Sequence, residues 1–140
     1  MGDPIVVEQR VATTVDRVMD AWLDPDALAT WWWPHIPDTT YAFDARPGGA
    51  YAIRSDAAGI GVEGEVVAID RPRQLRLTWR WLTDGVAGAE EPVTIRFEPA
   101  DGGTRVVVEH VLDDLAGDGD GIREGWESVL ARLSAYAAGS

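Results

Sequence analysis

Residues 31–50, WWWPHIPDTTYAFDARPGGA, divide the chain into a helical part and a β part. Pro34 and Pro37 stop any helix that reaches Trp31, because proline has no N–H to donate and its ring clashes with the preceding turn. Pro47-Gly48-Gly49 then forms a turn between two runs of strand-forming residues, 41–45 and 50–55. The three adjacent indoles cannot share one face of a helix or strand, so they must be divided between the core and a second apolar surface. A function would use that second surface.

Upstream of this stretch, residues 5–11 are rich in β-branched side chains and read as a first strand. Thr13 with Asp16 resembles a capping box, and Val15, Val18, Met19 and Trp22 recur at helical spacing, which predicts a helix over 15–23. Asp24-Pro25 supplies an N-cap and a proline at the first helical position, so a second short helix is expected over 25–30. Downstream come strands over 62–69, 75–81, 93–97 and 104–110, separated by turns such as Asp70-Arg71-Pro72-Arg73. The alternation in Leu75-Arg-Leu-Thr-Trp-Arg-Trp81 is that of an antiparallel strand with one face buried. Ile122, Trp126, Val129, Leu130, Leu133 and Tyr136 then mark a long helix over 120–138. Strands bracketed by a helical pair and a long final helix predict an α+β domain, a curved antiparallel sheet of six or seven strands packed on the last helix.

The 140 residues fit one domain with one core. Nothing approaches the ~20 apolar residues of a membrane-spanning helix. Met1-Gly2-Asp3-Pro4 places an acid where a secretory signal carries basic residues, and Val6 stands where a myristoylation motif has Ser or Thr. A cytoplasmic protein with no membrane partner is therefore expected. A formal charge of -12 and the absence of any basic cluster argue against nucleic acid. Cysteine is absent and the two histidines, His35 and His110, lack metal-ligand spacing, so neither a metal nor another cofactor is expected.

A wider pattern is carried by Leu23-Asp-Pro-Asp-Ala-Leu28 with Trp31, by Asp44-Ala-Arg46-Pro-Gly-Gly49, and by Gly64-Glu-Val-Val-Ala-Ile-Asp70. It continues through residues 75–79, through 103–110 and into Gly125-Trp126. In this order the pieces resemble the Hsp90-ATPase-activator-like family, a branch of the START/Bet v 1-like (SRPBCC) superfamily, over nearly the whole chain. The resemblance implies a single helix-grip domain, in which the sheet wraps the C-terminal helix and leaves a cavity. It implies three functional classes: hydrophobic-metabolite binders, polyketide cyclases or dehydratases, and co-chaperone domains that act on an Hsp90-type partner. The last ranks lowest, because the chain shows no counterpart of the extra N-terminal domain of the eukaryotic co-chaperones. Fold alone does not choose among them.

If the inward faces line such a cavity, strand parity and helical spacing nominate Tyr51, Ile53, Trp79, Trp81, Phe97, Val108, His110, Trp126 and Leu130 as ligand-binding residues, with core filling as the alternative for each. Trp31 and Trp33 join them at the expected cavity mouth, since three exposed indoles would form a patch that monomers avoid; a homodimer contact is the rival explanation. His110 is the candidate acid/base, titrating near neutrality on an apolar face, although a buried histidine is more often satisfied by a backbone or water hydrogen bond. His35 is expected in an exposed loop. Glu63 and Glu65 pose a register question, because adjacent Val66 and Val67 call for a bulge that would turn one glutamate outward. Asp44 and Arg46 read as a brace for the glycine turn, and the acidic run 113–121 as a cap for the last helix rather than a calcium loop. The leading expectation is a protein that binds a small hydrophobic or aromatic molecule.

Overall fold

The computed structural model describes residues 4–33, 36–71, 73–111 and 119–138. Strand β1 (Pro4–Val11) is followed by helices α1 (Val15–Leu23) and α2 (Pro25–Trp31), strands β2 (Thr39–Phe43), β3 (Ala50–Ser55), β4 (Ile60–Asp70), β5 (Gln74–Thr83), β6 (Val86–Ala87), β7 (Glu91–Ala100) and β8 (Gly103–Val111), and helix α3 (Gly119–Ala138). The strands form one antiparallel sheet in the order β1-β8-β7-β5-β4-β3-β2, with the two-residue β6 added beside β5. That gives seven strands along the main path.

The helix starts follow from local chemistry. The side chain of Asp24 accepts the Asp26 N–H at 3.0 Å and Pro25 opens α2, as the Asp-Pro pair predicts. At α1 the cap is Thr14, whose hydroxyl accepts the Arg17 N–H, and not Thr13. Thr13 instead lends its carbonyl to the Thr104 hydroxyl at 2.7 Å, tying the start of α1 to β8.

Strand β2 ends at Phe43, two residues before the expected limit, so Asp44 and Arg46 lie in the turn and pair with each other at 2.8 Å. The turn itself docks on β4: Gly48 N–H donates to Val66 O and Val66 N–H to Gly49 O. Gly48 has φ +84°, which a residue with a side chain rarely adopts.

The predicted bulge lies in β4, where the register with β5 shifts between Val66 and Ala68 and Val67 turns outward. Val62 and Val66 are buried, so Glu63 and Glu65 both lie on the opposite face of the sheet. Neither carboxylate enters the core, which spares the protein an unpaired buried charge. Near this point Gly64 allows the Thr78 carbonyl of β5 to approach, and the Thr78 hydroxyl accepts the Glu65 N–H at 2.8 Å.

The core fills the space between one face of the sheet and the three helices. Leu75, Leu77, Val93, Ile95, Phe97, Val106 and Val108 meet Trp22, Leu28, Trp126, Leu130 and Leu133 there. Helix α3 lies against β1 and α2. Among the described residues no helix is long and apolar enough to cross a membrane. His35 and residues 113–118 of the acidic run lie outside the described residues.

Candidate functional site

All seven tryptophans of the chain join one network of ring contacts. Trp22 sits at its base, 5.0 Å from Trp31 and 5.7 Å from Trp32 between ring centroids. Trp126 of α3 bridges the helices to the sheet, 5.5 Å from Trp32 and 5.1 Å from Trp79. Trp79 in turn meets Trp81 edge to face at 5.1 Å. Most of these centroid distances and tilts fall in the favourable range for aromatic pairs, and the rings occupy much of the gap in which a cavity was expected.

The three consecutive indoles are divided as their sequence requires. Trp31 is buried and donates its N–H to Ala21 O at 3.2 Å, which joins α2 to α1. Trp32 is buried too, and its carbonyl accepts the Tyr41 hydroxyl. Trp33 takes a positive φ of +53°, unusual for a bulky side chain, and stays half-buried. The backbone reversal at this residue separates its indole from the core pair.

What remains open is a cavity of about 130 Å³ lined by Trp32, Trp33, Trp79, Trp81, Ile122, Gly125, Trp126 and Val129. It lies between β5, the residues after α2, and the first half of α3. A Cβ placed on Gly125 would meet nothing within 4 Å, so the helix wall is open at that residue. The volume is comparable to the apolar cavity of about 150 Å³ that binds benzene, and well below the ~300–1,000 Å³ of drug-sized pockets.

Of the residues nominated from sequence, Trp33, Trp79, Trp81 and Trp126 line this space. Trp31, Tyr51, Ile53, Phe97, Val108 and Leu130 are packed in the core away from it. Tyr51 donates its hydroxyl to Thr78 O at 2.7 Å, and burial pushes its phenol well above the ordinary range, so it is a structural donor.

His110 is fully buried, with both ring nitrogens engaged. The Trp126 indole N–H donates to Nδ1 at 3.0 Å, and Nε2 lies 2.7 Å from Glu91 Oε1. Because indole is a donor and never an acceptor, Nδ1 must be unprotonated, and the ring proton belongs on Nε2, from which it donates to Glu91. Burial lowers the His110 pKa, and the Glu91 carboxylate opposes that shift without reversing it. The imidazole is therefore a neutral link that fixes Trp126, satisfied by two side chains instead of the backbone or water partner that sequence suggests.

Glu91 escaped the reading of the sequence. It is 2 % exposed and precedes Pro92 at the start of β7. The signal was present in strand parity, since Glu91 shares a face with Val93, Ile95 and Phe97. In register, Val93 pairs with His110 and Trp79 with Glu91, so the carboxylate is a diagonal neighbour of the imidazole. Trp32 was likewise left off the nominated residues but lines the cavity. Among the described residues no group of three His, Asp or Glu has metal-holding geometry.

Solved structures share this architecture. A protein of Mesorhizobium loti superposes with a TM-score of 0.82 at 20% identity, over 99% of this chain and 98% of its own. One from Chromobacterium violaceum gives a TM-score of 0.79 at 25% identity over 96% of both chains. DynU16, described as a protein of the dynemicin biosynthetic locus, gives 0.78 at 23% identity over 97% of this chain and 47% of its own. No curated protein matches the chain by sequence. Residues 12–138 match the sequence profile of the family described as Activator of Hsp90 ATPase homolog 1-like protein. With that match and a helix-grip fold of the expected element order, the chain belongs to the Activator of Hsp90 ATPase homolog 1-like family.

Proposed function

We propose that the protein binds a small, flat, largely apolar molecule of about one aromatic ring in the cavity between β5, the end of α2 and the first half of α3. The observation that carries this reading is a space of about 130 Å³ walled by five indoles, with Gly125 leaving the helix side open. An enclosed apolar cavity of comparable volume accepts a single-ring ligand. The biosynthetic setting of DynU16 is in keeping with a ligand of low molecular weight.

A cyclase or dehydratase using His110 is the weaker reading. The imidazole is sealed from the cavity by Trp126, and its unprotonated nitrogen is already occupied, so a substrate would have to displace the indole before any proton moved. His110 acts here by holding one wall of the cavity. Among the described residues no particular surface feature supports an Hsp90-type partner.

The test is a comparison of the wild type with Gly125→Leu, using tryptophan fluorescence and thermal unfolding in the presence of single-ring aromatics. Gly125 borders the cavity, so a leucine at this helical position narrows its open side. Replacing a helical glycine adds about 1 kcal/mol, or roughly 3 °C in melting temperature for a domain of this size. The expected result is ligand response in the wild type and none in a variant at least as stable. A variant that responds like the wild type would place binding elsewhere and remove the proposal.

A further inference from the structure

Trp32 and Trp33 wall the cavity from a stretch between α2 and β2 that belongs to no helix or strand. Its carbonyls are held mostly by side chains. Arg132 of α3 donates from Nε to Trp31 O at 3.2 Å, and the Tyr41 hydroxyl of β2 donates to Trp32 O. The Ile36 N–H donates to Trp33 O at 3.1 Å. Further along, Thr39 Oγ1 donates to Ile36 O at 2.8 Å and Ser55 Oγ to Pro37 O at 2.6 Å. Donors from α3, β2 and β3 thus do for this stretch what a ladder of backbone bonds does for a strand.

Two of these ties bear directly on the cavity, because they hold the two peptide groups that precede Trp33. Trp33 has a φ of +53°, and a bulky residue keeps such a conformation only where its surroundings over-determine it. The Arg132 guanidinium is itself oriented, donating from Nη1 to Ser128 Oγ at 2.9 Å. Burial raises the Tyr41 pKa, and the Thr39 side chain and the Arg132 charge lower it by less, so the phenol keeps the proton it donates. Neither Arg132 nor Tyr41 belongs to the lining, so each acts through the indoles it places.

We infer that Arg132 and Tyr41 are positioning residues for the binding site: they fix the backbone of residues 31–33 so that Trp32 and Trp33 stand as a preformed wall. This rests on the cavity being the binding site, as proposed above. A wall in place before the ligand arrives spares the cost of ordering it on binding, whereas a loosened wall lowers the fraction of protein competent to bind.

The experiment titrates benzene into the wild type, Tyr41→Phe, Arg132→Met, Arg132→Lys and Thr104→Val, following ¹⁵N–¹H spectra of the folded proteins, with urea unfolding run in parallel. Tyr41→Phe keeps the ring and removes one donor; Arg132→Met keeps the apolar stem and removes the other. Thr104→Val is the reference, because its hydroxyl donates to Thr13 O at 2.7 Å, a tie of the same kind outside the cavity lining. Benzene affinity is expected to fall about fivefold for each tie lost, the worth of one net hydrogen bond. It should recover in Arg132→Lys, whose ammonium still reaches Trp31 O, and stay at the wild-type value in Thr104→Val. The Trp33 indole N–H resonance of the ligand-free protein should move in Tyr41→Phe and Arg132→Met and stay in place in Thr104→Val.

Wild-type affinity in both Tyr41→Phe and Arg132→Met, with stability lost as in Thr104→Val, would overturn the positioning role and leave the cavity as the site. Absence of saturable benzene binding by the wild type would overturn both.

Discussion

Acidification offers a direct test of the Glu91–His110–Trp126 chain. In the unfolded protein His110 titrates near pH 6.5. In the folded protein its pKa is lowered, first by burial, with the Glu91 carboxylate pulling the other way. As pH falls through 6.5 the unfolded chain takes up a proton that the folded chain refuses, so stability present above that pH is lost below it, at up to about 1.36 kcal/mol per pH unit. Between pH 6.5 and 5.5 the loss from His110 is therefore at most about 1 kcal/mol, and it approaches that bound the more completely burial keeps the folded imidazole neutral. Urea unfolding at pH 7.5, 6.5 and 5.5 would measure it, with His110→Gln as the reference that lacks this titration. The variant is expected to be less stable throughout yet to lose less stability over the window, and the difference isolates His110. A wild type that gains stability over that window relative to the variant would mean an imidazolium held by Glu91, with Nδ1 protonated and unable to accept from Trp126. The assigned tautomer would then be wrong.

Two further outcomes follow from the same packing. Trp126→Phe strips His110 Nδ1 of its donor and leaves space where the indole was, and is expected to cost about 2–4 kcal/mol in urea unfolding. It should also change ligand response at the cavity, since Trp126 is a wall. Gly64→Ala would set a methyl group against the Thr78 carbonyl, forcing β4 and β5 apart for about 1–3 kcal/mol, whereas Gly85→Ala, open on all sides but at φ +83°, reports backbone strain alone.

The strand faces were legible because period-two alternation is a local property. Leu75, Leu77 and Trp79 are buried and Arg76 is exposed as the pattern requires, and the paired valines 66 and 67 did mark a bulge. The Asp24-Pro25 helix start was equally local. What escaped depends on pairing between distant segments. Thr13 and Thr14 are equivalent as capping residues in sequence, and the contact of Thr13 with Thr104 decides between them. Glu91 meets His110 only through the register of β7 with β8, which no local pattern around Glu90 and Pro92 encodes.

The cavity was the least legible feature. The parity of Trp79, Phe97 and Val108 shows that they face inward, yet whether inward residues enclose a void depends on how the indoles from α1, α2 and α3 stack against them. Five of the indoles close most of the gap, and the positive φ at Trp33 leaves the remainder open. That summed volume is a tertiary quantity without a sequence signature.

A ¹⁵N–¹H NMR titration with benzene probes the single-ring cavity against the first half of α3. Saturable shifts are expected at the Gly125 amide and at the indole N–H groups of Trp33, Trp81 and Trp126, with the turns around Gly59 and Asp101 unmoved. Shifts that are absent, or scattered over the protein without saturation, would contradict binding there.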